Sequence, residues 1–428
     1  YILALPGSLE TPTTGFVAAR MLAVLATTLG AWVLGRIALR TYGLGAAVVS
    51  MVVFATIPEA AAAGRSVLIE PYLNLATLAV AWWWLTPTEY PDAPHSKDRS
   101  SPRSAWAAGV ALGVALSFKW WAVALVVPIL ITARLRPRSD LLRLLGGAAL
   151  SGALVTGSAV LAAPADAVRQ TMAYQLTRRA GPSLVDRTVD LFGAQWSHLA
   201  TRELGPTLVG VTGLIVLVTM RRRDVAMRFA GAWYSTIVAM FAFGWNYFIQ
   251  YNAHLAPALG LLAAGVTAQL SLSYGSPRRL VRVGVGAACV ALCIITLSNA
   301  RWARGDALAR YDNQSTLTPL LQRSRGSVFA FDPGVVLLAG RLPDTERVGR
   351  VASDPFLAGA LGRGELRFTG ATSAATIRSA LRRADLVVID EDGSDELGPL
   401  LPWFQREFVE VARDDRLRRS VWSRRDVT

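Results

Sequence analysis

Charge is scarce in this chain. Only 17% of its 428 residues are Asp, Glu, Lys or Arg, against 53% apolar residues and a mean hydropathy of +0.37. That balance is too apolar for an ordinary soluble domain and marks an integral membrane protein. Cysteine is nearly absent. Cys289 and Cys293 are the two present, one helical turn apart in an apolar run, where they read as packing residues. Neither a disulfide framework nor a thiolate metal cluster is expected, so the chain's folding rests on its core. No G-x-x-x-x-G-K-[ST] loop occurs anywhere, so the acidic strand end Leu386 to Glu391 reads as a solvated turn and not as part of a nucleotide triphosphatase. Internal repeats are also missing, which counts against a transporter built from related halves.

What the chain has is a succession of apolar runs. At roughly 20 residues per bilayer crossing, runs at about 16–40, 43–63, 71–86, 141–163, 204–220, 228–244, 253–270 and 282–298 read as spanning helices. The stretch 105–133 is too long for one straight span and carries Lys119 near its middle, beside Phe118, Trp120 and Trp121. A central lysine costs about 2.5–3.5 kcal/mol on insertion scales. Two short helices with Lys119 at the turn avoid most of that, which brings the expected total to ten crossings.

The net charge of +14 follows from topology. Arg36 and Arg40, then Arg134, Arg136 and Arg138, then Arg221, Arg222, Arg223 and Arg228, then Arg278, Arg279 and Arg282 fall on one side when the crossings alternate, and that side is cytoplasmic. The arginines are divided among loops and form no single stripe with stacking aromatics, so no nucleic acid is expected as partner. Glu59, Arg65, Glu70, Lys119, the loop 164–203 and everything after Asn299 then face outward. The loop interleaves apolar residues with Arg169, Arg178, Arg179 and Arg187, as helices lying in the headgroup plane do.

After Asn299 the composition turns to mixed charge. Short apolar stretches at 327–331, 335–339, 385–389 and 408–411 read as strands, and 372–384 reads as a helix, giving a small α/β domain. The fold expected is an α-helical polytopic membrane domain over 1–298 and an extracytoplasmic α/β domain over 299–428, in a multi-pass protein of the plasma membrane. The chain starts at Tyr1 with its start outward-facing, so an upstream segment with one more span and a first outer loop is expected.

Ionisable residues at a membrane edge are functional candidates, because their burial is costly unless compensated. The run Ala62-Ala63-Gly64-Arg65-Ser66-Val67-Leu68-Ile69-Glu70-Pro71 places two of them at the mouth of an apolar helix, and Gly109 to Trp120 carries Lys119. With Tyr174 to Arg179 in the outer loop and Tyr251-Asn252-Ala253-His254-Leu255-Ala256-Pro257 before a late helix, these runs resemble the GT-C glycosyltransferases. The likeness is to the protein O-mannosyltransferase and aminoarabinose transferase branch.

The resemblance implies transfer of a sugar from a polyprenyl-phosphate donor to an envelope acceptor on the outer face of the membrane, with inversion at the anomeric carbon. It implies a catalytic role for Glu70, which orients the site, supports the base or binds a metal where one is used. The alternative for Glu70 is a salt bridge with Arg65 or a helix-start carboxylate favoured by the dipole. Lys119 matches the lysine of the family's K-W turn, whose ammonium neutralises phosphate. Arg65, Arg178, Arg179, Tyr251 and His254 are the further donor-binding candidates, each with a plainer reading as a snorkelling or belt residue. The family's principal carboxylate lies in a first outer loop ahead of Tyr1, so no motif here names the general base. Glu10 and Glu59 are the other outer carboxylates. Sugar, acceptor and the use of a divalent metal vary within the family and stay open. The other readings are a transporter or flippase for a lipid-linked or anionic substrate, and a noncatalytic protein that binds envelope polymer.

Overall fold

Glycine and proline set the first corners of the chain. The protein is described by a computed structural model at residues 12–64, 68–85, 102–168, 204–219, 224–243, 249–272, 317–324, 326–330, 374–390, 400–414 and 419–426, and at single positions 336, 339, 341 and 397. Helix α1 (Pro12–Tyr42) ends before Gly43, whose φ of 93° costs glycine nothing and would strain a residue with a Cβ. Helix α2 (Leu44–Thr56) stops at Ile57, with φ −63° and ψ 119°, because the residue before a proline is pushed out of the helical region. Pro58 then opens α3 (Pro58–Ala63). The run expected as one span over 43–63 is therefore two helices.

Helix α4 (Glu70–Leu85) starts with a carboxylate at the positive end of its dipole and a proline where no N–H donor is needed. Helix α5 (Pro102–Phe118) breaks at Lys119, whose backbone is extended at φ −164° and ψ 131°. The chain continues as a 3-10 segment (Trp120–Leu125) and α6 (Val126–Ala133). The turn read from the sequence is thus present at the lysine itself. Helices α7 (Arg138–Ala162), α8 (Pro164–Val168), α9 (Leu204–Thr219) and α10 (Val225–Phe243) follow, then a second 3-10 segment (Ile249–Leu255) and α11 (Ala256–Leu272). Among the described residues, Val17–Tyr42 and Arg138–Ala162 are long and apolar enough to cross a membrane. The run 282–298, with Cys289 and Cys293, lies outside the described residues.

The chain divides into two compact units, one of Arg20–Ser158 with Ala180–Ala303, the other of Tyr1–Ala19 and Ala159–Arg179 with Arg304–Thr428. In the first, α11 packs on α2, α9 and α10, α4 packs on α5, and α10 packs on α6. Their shared core holds Leu34, Phe54, Leu78, Trp84, Phe229 and Leu259, all 1% exposed or less. Burying each such side chain is worth about 1.5–3 kcal/mol in water. Small residues let α5 and α7 approach backbone to backbone: a Cβ on Gly109 would run into the Leu144 carbonyl, and one on Gly147 would meet the Trp106 carbonyl at 2.5 Å. Ser151 adds a hydrogen bond across the gap, donating to the Val110 carbonyl at 2.9 Å. This is the small-residue packing favoured where no water drives helices together.

At the far end of α4, Trp84 donates through Nε1 to Thr132 Oγ1 at 2.8 Å. Arg136 covers the Trp84 ring at 4.3 Å, bonds the Trp84 carbonyl, and lies 3.5 Å from Asp140, a carboxylate 1% exposed. Arg143 approaches the same carboxylate at 3.1 Å. Two guanidinium groups thus compensate one buried charge, as burial requires.

The second unit contains a four-stranded sheet in the order β1 (Val328–Ala330), β2 (Leu386–Asp390), β4 (Arg419–Arg424), β3 (Phe408–Asp414). β1 and β2 are parallel, and the β2–β4 and β4–β3 pairs are antiparallel. The β3–β4 ladder slips between Glu410 and Ala412. Strand side chains alternate faces. Val387 and Ile389 join one apolar cluster with Ile377, Phe404 and Phe408, while Leu386 and Val388 join another with Leu317 and Val421. Helices α12 (Ala374–Leu381) and α13 (Leu401–Glu407) supply the first cluster. The stretch 335–339, expected as a strand, is helical at Val336, and β4 was not anticipated.

Candidate active site

The break in α5 is where the sequence candidates meet. Because the helix ends at Phe118 and Lys119 is extended, the lysine side chain is free to reach across to the first turn of α4. Its Nζ donates to Glu70 Oε1 at 2.8 Å. The two side chains are 19% and 3% exposed, so the carboxylate is interior and the ammonium keeps an outlet. A buried carboxylate needs such a partner. The partner of Glu70 is Lys119, 49 residues away.

The ammonium also rests against an aromatic ring. The Tyr251 ring lies 4.0 Å from Nζ, within range of a cation–π contact. Tyr251 packs in turn against Trp121 at 5.2 Å and Phe241 at 6.5 Å, centroid to centroid, and those two rings meet each other at 5.4 Å. Burial holds the Lys119 ammonium below the ordinary lysine range, against the opposing hydrogen bond and charge of Glu70. A cation kept partly dry and partly open is suited to meeting an anion that arrives with its own charge.

His254 stands beside this pair, stacked with Tyr251 at 6.3 Å between ring centroids and 6% exposed. Its Nδ1 is 3.3 Å from Asn74 Oδ1. The Asn74 amide also donates to the Ala253 carbonyl at 2.8 Å. Asn74 was not singled out from the sequence, although a signal existed. It lies four residues after Glu70, so both project from one face of α4.

Glu70, Lys119, Tyr251 and His254 are therefore brought together. Arg65, Arg178 and Arg179 lie outside the described residues, as does Glu10. Glu59 is buried at 8% exposure in the first turn of α3, and α3 packs on the 3-10 segment that carries Tyr251 and His254. No group of three or more His, Cys, Asp or Glu placed to hold a metal occurs among the described residues. A second signal passed over in the sequence is composition: of the 44 basic residues only Lys97 and Lys119 are lysine.

Residues 6–165 match the family model of dolichyl-phosphate-mannose-protein mannosyltransferase, a segment that contains Glu70, Asn74 and Lys119. ArnT from Cupriavidus metallidurans in the apo state shares the fold, with 17% identity and a TM-score of 0.50 over 94% of this chain and 83% of that one. The likeness to that mannosyltransferase family is carried by residues 6–165, and the likeness to the solved structure is one of fold. The crystal structure of Cupriavidus metallidurans ArnT bound to undecaprenyl phosphate is also similar, at 20% identity and a TM-score of 0.47 over 95% of this chain and 83% of that one. No curated protein matches the chain significantly. The paired lysine and carboxylate fall inside the matched segment, and the tyrosine and histidine are supplied from beyond it.

Proposed function

We propose that the protein is a membrane glycosyltransferase that takes a sugar from a polyprenyl-phosphate donor and passes it to a hydroxyl-bearing envelope acceptor on the outer face of the membrane. The observation that carries this reading is the Lys119 ammonium, fixed between Glu70 and the Tyr251 ring and still 19% exposed. The family model over 6–165, whose name specifies a lipid-phosphate sugar donor, supports the substrate class.

In this reading the acceptor hydroxyl oxygen attacks the anomeric carbon, the bond from that carbon to the phosphate oxygen breaks, the polyprenyl phosphate leaves with the electron pair, and the hydroxyl proton passes to solvent or to the released phosphate. The leaving phosphate gains negative charge as the bond breaks, and Lys119 stabilises it most at that stage, which is where stabilisation accelerates a reaction. Glu70 keeps the ammonium oriented and charged. The proposed architecture is a multi-pass membrane domain of about ten spans over 1–298 and an extracytoplasmic α/β domain over 299–428. The apolar runs and the distribution of arginine support it.

The test is sugar transfer by the full-length protein in membranes, with radiolabelled polyprenyl-phosphate sugars and an envelope extract as acceptor. Turnover with at least one donor is expected, and Lys119→Ala should abolish it. Absence of turnover with every donor in a folded protein would favour a transporter or a noncatalytic envelope-binding role.

A further inference from the structure

The Asn74 side chain has both of its ends occupied, and that fixes the chemistry of its neighbour. A carbonyl only accepts, so the Asn74 group facing the Ala253 carbonyl at 2.8 Å is the NH2 donor. The oxygen Oδ1 therefore faces His254 Nδ1 at 3.3 Å, and because Oδ1 also only accepts, Nδ1 carries the proton. The remaining ring nitrogen, Nε2, is buried and has no hydrogen-bond partner among the described residues. A proton on it would be a cationic N–H in a dry setting with nothing to receive it, which is costly. His254 is thus held neutral, with its lone pair on Nε2.

The ionisable groups on the elements packed around this turn are Glu59 on α3, Glu70 and Tyr72 on α4, and Tyr251 on the turn itself. Lys119 reaches it from the break after α5. α11 carries no ionisable side chain, and α10, which carries Arg228 near its start and Tyr234 midway along it, meets the turn through Phe241 near its end. Glu70 is engaged by Lys119, so its charge is already balanced and does not call for an imidazolium.

We propose that Asn74 is a positioning residue of the donor site: it locks His254 as the Nδ1–H tautomer and pins the 3-10 turn to α4, which keeps the Tyr251 ring beneath Lys119. The ligand named here, a polyprenyl phosphate, rests on the function proposed above. Glu70 and Asn74 then act from one helical face, the first on the cation and the second on the aromatic platform under it. His254 supports the turn as a neutral ring, and the phosphate is left to Lys119.

The chain has three histidines, so 15N-histidine NMR of the full-length protein in nanodiscs, with His254→Gln to assign the signal, reads the tautomer directly. Wild type should show a neutral Nδ1-protonated ring for His254 that does not titrate between pH 8 and 5. In Asn74→Leu the signal should move to a mixture of tautomers that titrates, and equilibrium binding of a polyprenyl monophosphate should weaken about tenfold, the scale of losing one buried partner. Asn74→Asp keeps the acceptor for Nδ1 and adds a charge, so it should retain a pinned ring but raise its titration midpoint. Asn74→Ser, too short to reach either partner, replaces Asn74→Leu if the latter does not fold. A wild-type His254 that titrates near the ordinary value of about 6.5, or an Asn74→Leu protein with unchanged signal and unchanged affinity, overturns the proposal. If wild type shows the locked ring and Asn74→Leu releases it but no polyprenyl phosphate binds, the lock stands and it is the donor assignment that fails.

Discussion

Glu70 and Lys119 meet at 2.8 Å with the carboxylate 3% exposed and the ammonium 19% exposed, so the less accessible partner depends on the more accessible one. This asymmetry decides what each substitution does. Removing the lysine strands a charge in the interior, while removing the carboxylate leaves a cation that still has an outlet.

Lys119→Met is therefore expected to destabilise the protein by about 3–5 kcal/mol, the cost of leaving one member of a buried pair alone. Glu70→Leu in the same chain should recover most of that loss. Thermal unfolding in detergent of the single and double variants checks the cycle. A loss in the double variant equal to the sum of the two single losses would show that the pair is not coupled.

Lys119→Arg preserves charge and should still fail. The ammonium sits between one carboxylate oxygen and a ring 4.0 Å away, and a planar fork does not replace a compact point charge in that space. A chain that uses arginine for all but two of its basic residues keeps lysine here for a reason that this variant exposes. Donor turnover at saturating acceptor should fall at least tenfold, a difference of about 1.4 kcal/mol, with the unfolding midpoint little changed.

Alkaline pH should weaken ligand binding. Burial lowers the native Lys119 pKa, so the folded protein sheds this proton below the ordinary lysine value of about 10.4. Binding of a polyprenyl phosphate needs the ammonium and should fall as pH rises through the native value. A Lys119→Met chain, with no proton to lose there, should show no such trend, measured by calorimetric binding across alkaline pH.

Gly109→Leu should disrupt the first unit without touching the candidate site. The added side chain would have to displace the Leu144 backbone, and overpacking of this kind typically costs about 1–3 kcal/mol. Gly146→Leu is the control, since nothing lies within 4 Å of a Cβ there. Comparable yields and melting behaviour for the two variants would count against close α5–α7 packing.

Much of the local architecture was legible in the sequence. Lys119 in an apolar run predicts a break because a mid-span cation is expensive, and the backbone leaves the helix at that residue. Pairing was not legible. Glu70 had a nearer arginine in sequence, and nothing in one-dimensional spacing says that α4 packs on α5 so as to bring Lys119 to it. Tyr251 and His254 were visible as a polar cluster, but the contact with Lys119 depends on how Trp121 and Phe241 pack against the tyrosine, which is a tertiary property. Val335 to Ala339 looked like a strand because a short apolar run fits either period, and Arg419 to Arg424 was missed because charged residues at both ends disguise its alternation.

The slipped register in β3 has a bearing beyond its own ladder. Among the described strands β3 is an outer one, and an outer strand offers unpaired N–H and C=O groups to any extended chain that drifts alongside. The irregularity between Glu410 and Ala412 interrupts that row, and Glu410 and Arg413 close on each other at 2.7 Å across it. A visiting strand would find its register broken and a closed ion pair in its way, so the border of this sheet discourages self-association through β3.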